Sequence, residues 1–129
     1  MTMHAKGPFE VKMTPQPASE HGLARLALDK QFSGDLEATS MGEMLAAHTG
    51  VEGSAGYVAM ERVDGTLHGR RGTFVLQHSG TMDRGAPSLA LSVVPDSGTG
   101  ELAGLSGTMS IDREGGKHAY SFDYTLRDA

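Results

Sequence analysis

Apolar and polar residues alternate along most of this chain, which is the two-residue period of strands rather than the longer period of helices. The longest such stretch, Ser54 to Met82, reads SAGYVAMERVDGTLHGRRGTFVLQHSGTM. It predicts two strands joined at Gly69-Arg70-Arg71-Gly72. A turn centred between Arg70 and Arg71 sets Val63 opposite His78 and Glu61 opposite Gly80. One face then collects Tyr57, Ala59, Glu61, Val63 and Leu67 with Phe74, Leu76, His78 and Met82. The other collects Met60, Arg62, Asp64, Thr66 and His68 with Thr73, Val75, Gln77, Ser79 and Thr81. The first set is mainly apolar and is assigned to the core. Glu61 and His78 lie diagonally on it, within hydrogen-bond reach. Gly65 is a candidate bulge, and one extra residue there reverses the facing of everything before it.

The same pattern extends to both ends. Lys6 to Thr14 predicts a first strand with Phe9, Val11 and Met13 on one side. Pro15-Gln16-Pro17 and the polar run to Gly22 predict a loop, because two prolines so close oppose regular pairing. Leu23 to Ser33 follows, with Leu26, Leu28 and Phe32 on one face. Gly34-Asp35 turns the chain into a strand from Leu36 to about Leu45. Residues 46–53 read as a loop or short helical turn, since MGEMLAAHTG carries local helix formers. Asp83 to Pro87 reads as a loop, Leu89, Leu91 and Val93 mark a strand, and Pro95-Asp96-Ser97-Gly98 ends it. In the last hairpin, a turn at Arg113-Glu114-Gly115-Gly116 sets Ile111 opposite His118, Met109 opposite Tyr120 and Gly107 opposite Phe122. His118, Tyr120, Phe122, Tyr124 and Leu126 then share one side.

About eight strands with short connections predict an all-β fold, an antiparallel up-and-down barrel formed by residues 1–129 as a single domain. Closure removes the exposed edges that template aggregation. A weak internal repeat supports it. Gly65-Thr66-Leu67-His68-Gly69-Arg70-Arg71-Gly72-Thr73-Phe74 matches Gly100-Glu101-Leu102-Ala103-Gly104-Leu105-Ser106-Gly107-Thr108-Met109, and Gly34-Asp35-Leu36 opens a looser third copy. The repeat predicts equivalent barrel corners.

Composition narrows the function. Eleven basic against 16 acidic residues leave a net charge of −5, with no basic block, so nucleic acid is not an expected partner. The 18 glycines, scattered between alternating segments, fit turns and tight corners. The chain has no cysteine, which excludes disulfides and thiolate chemistry and fits a cytoplasmic setting. No run is apolar and long enough to cross a bilayer as a helix, so no membrane partner is expected. The six histidines show neither H-x-H nor H-x-x-x-H spacing, so no metal site is assigned and no cofactor is expected.

The phrases FSGDLEATSMGEML, GYVAMERVDGTLHGRRGTFVLQHSGTM, VVPDSGTGELAGLSGTM and GKHAYSFDYTL resemble a family of bacterial proteins of unknown function with the allene oxide cyclase-like barrel. The resemblance covers nearly the whole chain. Gly98-Thr99-Gly100-Glu101-Leu102-Ala103-Gly104-Leu105-Ser106-Gly107 also resembles the G-T-G-x-[FL]-x-G-x-x-G segment of dirigent proteins and allene oxide cyclases. The resemblance implies an eight-stranded, calycin-like barrel around an apolar cavity, packed as a homo-oligomer, a dimer or a trimer. No catalytic residue of the related cyclases aligns here, and fold alone does not license an activity.

Glu61 and His78 are the candidate catalytic pair: in a dry cavity an imidazole partner can hold the carboxylate charged, and the two can pass a proton. The simpler alternative is a polar pair that locks strand register. Tyr57, Tyr120, Phe74 and His118 are the candidate ligand contacts, with the phenols as donors to a carbonyl; as core aromatics they need only bury their rings. The leading functional reading is a barrel that binds a hydrophobic small molecule with one polar end. The second is an isomerase or cyclase in that cavity, acting without metal on a polyketide- or fatty-acid-like substrate. The third is a structural or interaction role for a filled barrel. Neither the identity of the ligand nor the occurrence of a reaction follows from the residues.

Overall fold

The computed structural model describes residues 2–17 and 21–127. Eight strands form a closed antiparallel barrel, each paired with the next and the last with the first. They are β1 (Met3–Gln16), β2 (Ala24–Phe32), β3 (Leu36–His48), β4 (Ala55–Leu67), β5 (Arg70–Asp83), β6 (Ala86–Val93), β7 (Leu105–Asp112) and β8 (His118–Leu126). The facing inferred from alternation holds: Ala59, Glu61, Val63 and Leu67 of β4 and Phe74, Leu76 and His78 of β5 are buried.

Several boundaries differ from the expectations, each for a physical reason. The β4–β5 turn is His68-Gly69, two residues earlier than Gly69–Gly72, so Glu61 pairs with Leu76 and Val63 with Phe74. His68 (φ 46°) and Gly69 (φ 79°) are both left-handed, as the tight two-residue hairpin requires. Gly72 lies in the sheet instead, where a Cβ would stand 2.1 Å from the Thr99 carbonyl oxygen. In the last hairpin Ile111 pairs with Tyr120, not His118. Both slips move the pairing by an even number of residues, and for that reason the buried faces are unchanged. Gly65 is not a bulge: the ladder runs through it, pairing it with Ala38 and Gly72.

β1 continues through Pro15 and Gln16, where the prolines predict a loop. Beyond Phe9, β1 pairs only with β2, so the missing N–H of Pro15 lies on an edge. The rest of that expected loop includes 18–20, which lie outside the described residues. β3 runs on to His48, because Met41 to Ala46 are paired with β2 on one side and β4 on the other. Two ladders override a local helix preference. Between β5 and β6 only Arg84-Gly85 leaves the sheet, again with both φ positive (48° and 91°).

The repeat is partly structural. Leu67 and Leu102 are both fully buried at one end of the barrel, and Gly69 and Gly104 are both left-handed. Gly65 and Gly100 are not equivalent, since the first lies in β4 and the second opens the 3-10 turn Gly100–Leu102. Gly65 instead permits close approach of β3: a Cβ there would stand 2.2 Å from the Glu37 carbonyl oxygen. Gly65→Ala is therefore expected to cost about 1–3 kcal/mol, measured by urea unfolding. An unchanged midpoint would show that β3 and β4 have slack at this crossing.

Candidate functional site: a buried ionic cluster beneath the open end

The two ends of the barrel are built differently. At the end carrying the β2–β3 and β4–β5 turns, Leu36, Leu67, Leu102 and Leu105 are each no more than 2 % exposed. Tyr120 staples that end: its hydroxyl donates to the Ser33 carbonyl (2.7 Å) and accepts from the Leu36 N–H (2.8 Å). At the opposite end, the inward-facing positions Met13, Met82 and Leu89 are 46, 42 and 43 % exposed. The wall also parts there. β6 and β7 share only the pair Ser92–Thr108, and residues 86–90 of β6 are all exposed.

Between the sealed core and this mouth lies a polar cluster. Glu61 on β4, His78 on β5, Lys30 on β2 and Ser40 on β3 are 1, 3, 6 and 1 % exposed. Glu61 Oε2 accepts from Lys30 Nζ at 2.8 Å and bonds His78 Nε2 at 2.5 Å, while Oε1 accepts from Ser40 Oγ at 2.9 Å. Gly42 sits directly across from Glu61 and permits close approach of β4, since a Cβ there would stand 2.2 Å from the Met60 carbonyl oxygen. Lys30 Nζ also lies 5.2 Å from the Phe9 ring centre and 5.8 Å from that of Phe32. Aromatic faces, rather than further oxygens, thus surround the rest of the ammonium.

Burial by itself would raise the Glu61 pKa. The hydrogen bond from His78, together with the charge and hydrogen bond of Lys30, outweighs it, and the carboxyl is held below its ordinary value. Glu61 is therefore an ionised group facing Lys30 Nζ, Ser40 Oγ and His78 Nε2. His78 Nδ1 points the other way, toward the Tyr57 hydroxyl at 3.4 Å. Burial raises the pKa of that phenol; the Arg113 charge opposes the rise and the Glu61 charge adds to it.

The sequence-predicted residues fall into three groups. Glu61, His78 and Tyr57 run in line from the interior toward the mouth. His118 is half-buried near the mouth, its ring 5.2 Å from that of Phe9. Tyr120 and Phe74 belong to the sealed core, where Phe74 stacks on Phe122 at 6.0 Å and the Tyr120 hydroxyl is taken up by backbone. Sequence reasoning missed Lys30 and Ser40. The signal was present: Lys30 shares the inward parity of Leu26, Leu28 and Phe32, and Ser40 that of Leu36 and Ala38. Among the described residues, no three His, Cys, Asp or Glu side chains converge as metal ligands. Nor does any described helix have the length and apolarity to cross a membrane.

Comparison with known proteins agrees with this architecture. Residues 5–124 match the model of a family described as protein of unknown function, DUF3224. The chain belongs to the DUF3224 family. A crystal structure of a DUF3224 protein of unknown function from Shewanella oneidensis MR-1 is 52 % identical, covers 100 % of both chains and superposes with a TM-score of 0.96. No curated protein matches the chain. For this DUF3224 chain, what the barrel does has to be argued from the site itself.

Proposed function

We propose that this barrel binds a small molecule through its open end. The apolar body of the ligand lies against Val11, Leu28, Leu89 and Ile111, and one acceptor atom is directed at the Lys30–His78 side of the cluster. The observation that carries this reading is the asymmetry of the ends: inward-facing leucines no more than 2 % exposed at one, inward-facing Met13, Met82 and Leu89 more than 40 % exposed at the other. An apolar ring left open to water above a charged cluster suits a ligand that covers the first and hydrogen-bonds the second.

Proton transfer in the same place is a second reading, favoured by the line Glu61–His78–Tyr57. Here Glu61 orients the ring and keeps its charge, while His78 Nδ1, relayed by the Tyr57 hydroxyl, moves the proton. This differs from a carboxylate that shuttles protons itself, because His78 and Lys30 hold the Glu61 pKa below its ordinary value.

One experiment separates the possibilities. 1-Anilinonaphthalene-8-sulfonate, an aromatic body with one anionic group, should bind with a fluorescence rise and be displaced by decanoate. Leu89→Arg at the mouth should weaken binding at least tenfold, and Glu10→Gln on the outer wall of β1 should leave it unchanged. At a hundredfold excess over Kd, a true ligand stabilises the fold by about 2.7 kcal/mol. Equal binding in Leu89→Arg would sink the mouth as the site. Deuterium wash-in at the α-carbon of a bound ketone, lost in His78→Ala with binding kept, marks the proton-transfer reading.

A further inference from the structure

The outer wall of β3–β4–β5 carries an apolar patch that the barrel interior does not explain. Met41 is 71 % exposed, Val58 53 %, Met60 48 % and Leu45 42 %, although a solvated outer face should be polar. These residues adjoin one another through the pairs Met41–Arg62, Glu43–Met60 and Leu45–Val58. Val75 extends the patch onto β5 opposite Arg62. A depression of about 750 Å³ lies over this face.

We propose that this face is the interface of a twofold-symmetric dimer, with a second copy of the chain as its occupant. The charges on the patch carry the choice of partner. Arg62 forms no ion pair with any described residue, and Glu43 meets only Arg25, at 3.7 Å with its side chain 81 % exposed. Met41, Arg62, Met60 and Glu43 occupy the corners of one rectangle, with the two methionines on one diagonal and the two charges on the other. A twofold axis along the methionine diagonal sets each methionine against its own copy and each Arg62 over the partner's Glu43. Strand spacings make the two sets of strands cross at roughly 75°. That crossing belongs to the orthogonal class of sheet packing.

The test is the mass of the full chain in solution, by sedimentation equilibrium from 1 to 100 µM. The expected result is a species of twice the 13.6 kDa of one chain. Arg62→Glu and Glu43→Arg should each weaken association at least tenfold, and the double exchange should restore it. Circular dichroism confirms that each variant remains folded. A monomer at 100 µM, a trimer, or a dimer indifferent to both charge reversals would overturn the proposal. Rescue by the double exchange is the outcome that contact elsewhere on the barrel would not produce.

Discussion

Glu61→Gln is expected to lower the unfolding free energy by about 3–5 kcal/mol, read from urea curves at pH 7. Among the described residues, the carboxylate is the only anion touching Lys30 and His78 in a region that is 6 % exposed or less. An amide in its place leaves the ammonium without a counter-charge and aims N–H donors at other donors. The pH dependence follows with a definite sign. The Glu61 pKa is depressed from its ordinary 4.5 on folding, so its contribution is fully present above that value and is lost as pH falls through the folded pKa. The groups facing Glu61 are Lys30, His78, Ser40 and, one step further, Tyr57. The acid limb of stability below pH 4.5 should therefore flatten in Glu61→Gln. A loss under about 1 kcal/mol would show that water reaches the cluster. Replacing the group together, Lys30→Met with Glu61→Leu and His78→Leu, should recover most of the stability, since buried ion pairs rarely exceed a well-packed apolar substitute. It should not recover binding at the mouth.

What the sequence made legible was facing, and what it hid was register. Alternation fixed the inward set on β4 and β5 because side chains must point to opposite sides of a sheet. It said nothing about whether Leu76 or Gly80 stands across from Glu61, and that depended on His68 entering the left-handed region, a conformation composition does not announce. Glu61 and His78 came together despite the slip, because a four-residue change in pairing exchanged one diagonal for the other. Lys30 escaped notice because charged residues inside strands are usually read as solvent-facing, although the parity of Leu28 and Phe32 assigns it inward. Which end is open was not legible at all. That asymmetry comes from the 3-10 turn carrying Leu102 into one end, and from the failure of β6 and β7 to pair toward the other.

The same asymmetry makes the last prediction. Phe122→Ala at the sealed end should cost about 3–5 kcal/mol, since its ring is fully buried between Phe74 at 6.0 Å and Tyr124 at 5.3 Å. Leu89→Ala at the mouth should cost about 1 kcal/mol or less, since its side chain is already 43 % exposed. Both residues face inward on their strands, so strand position alone would treat them alike. A barrel filled evenly from end to end would show comparable losses at the two sites, and that result would remove the mouth together with the ligand it is argued to admit. Unequal losses, with the probe displaced only by the mouth substitution, would assign stability to one half of the cylinder and recognition to the other. In that case Leu89 is held by what it contacts in the bound state, and the cluster beneath it is the floor of the site.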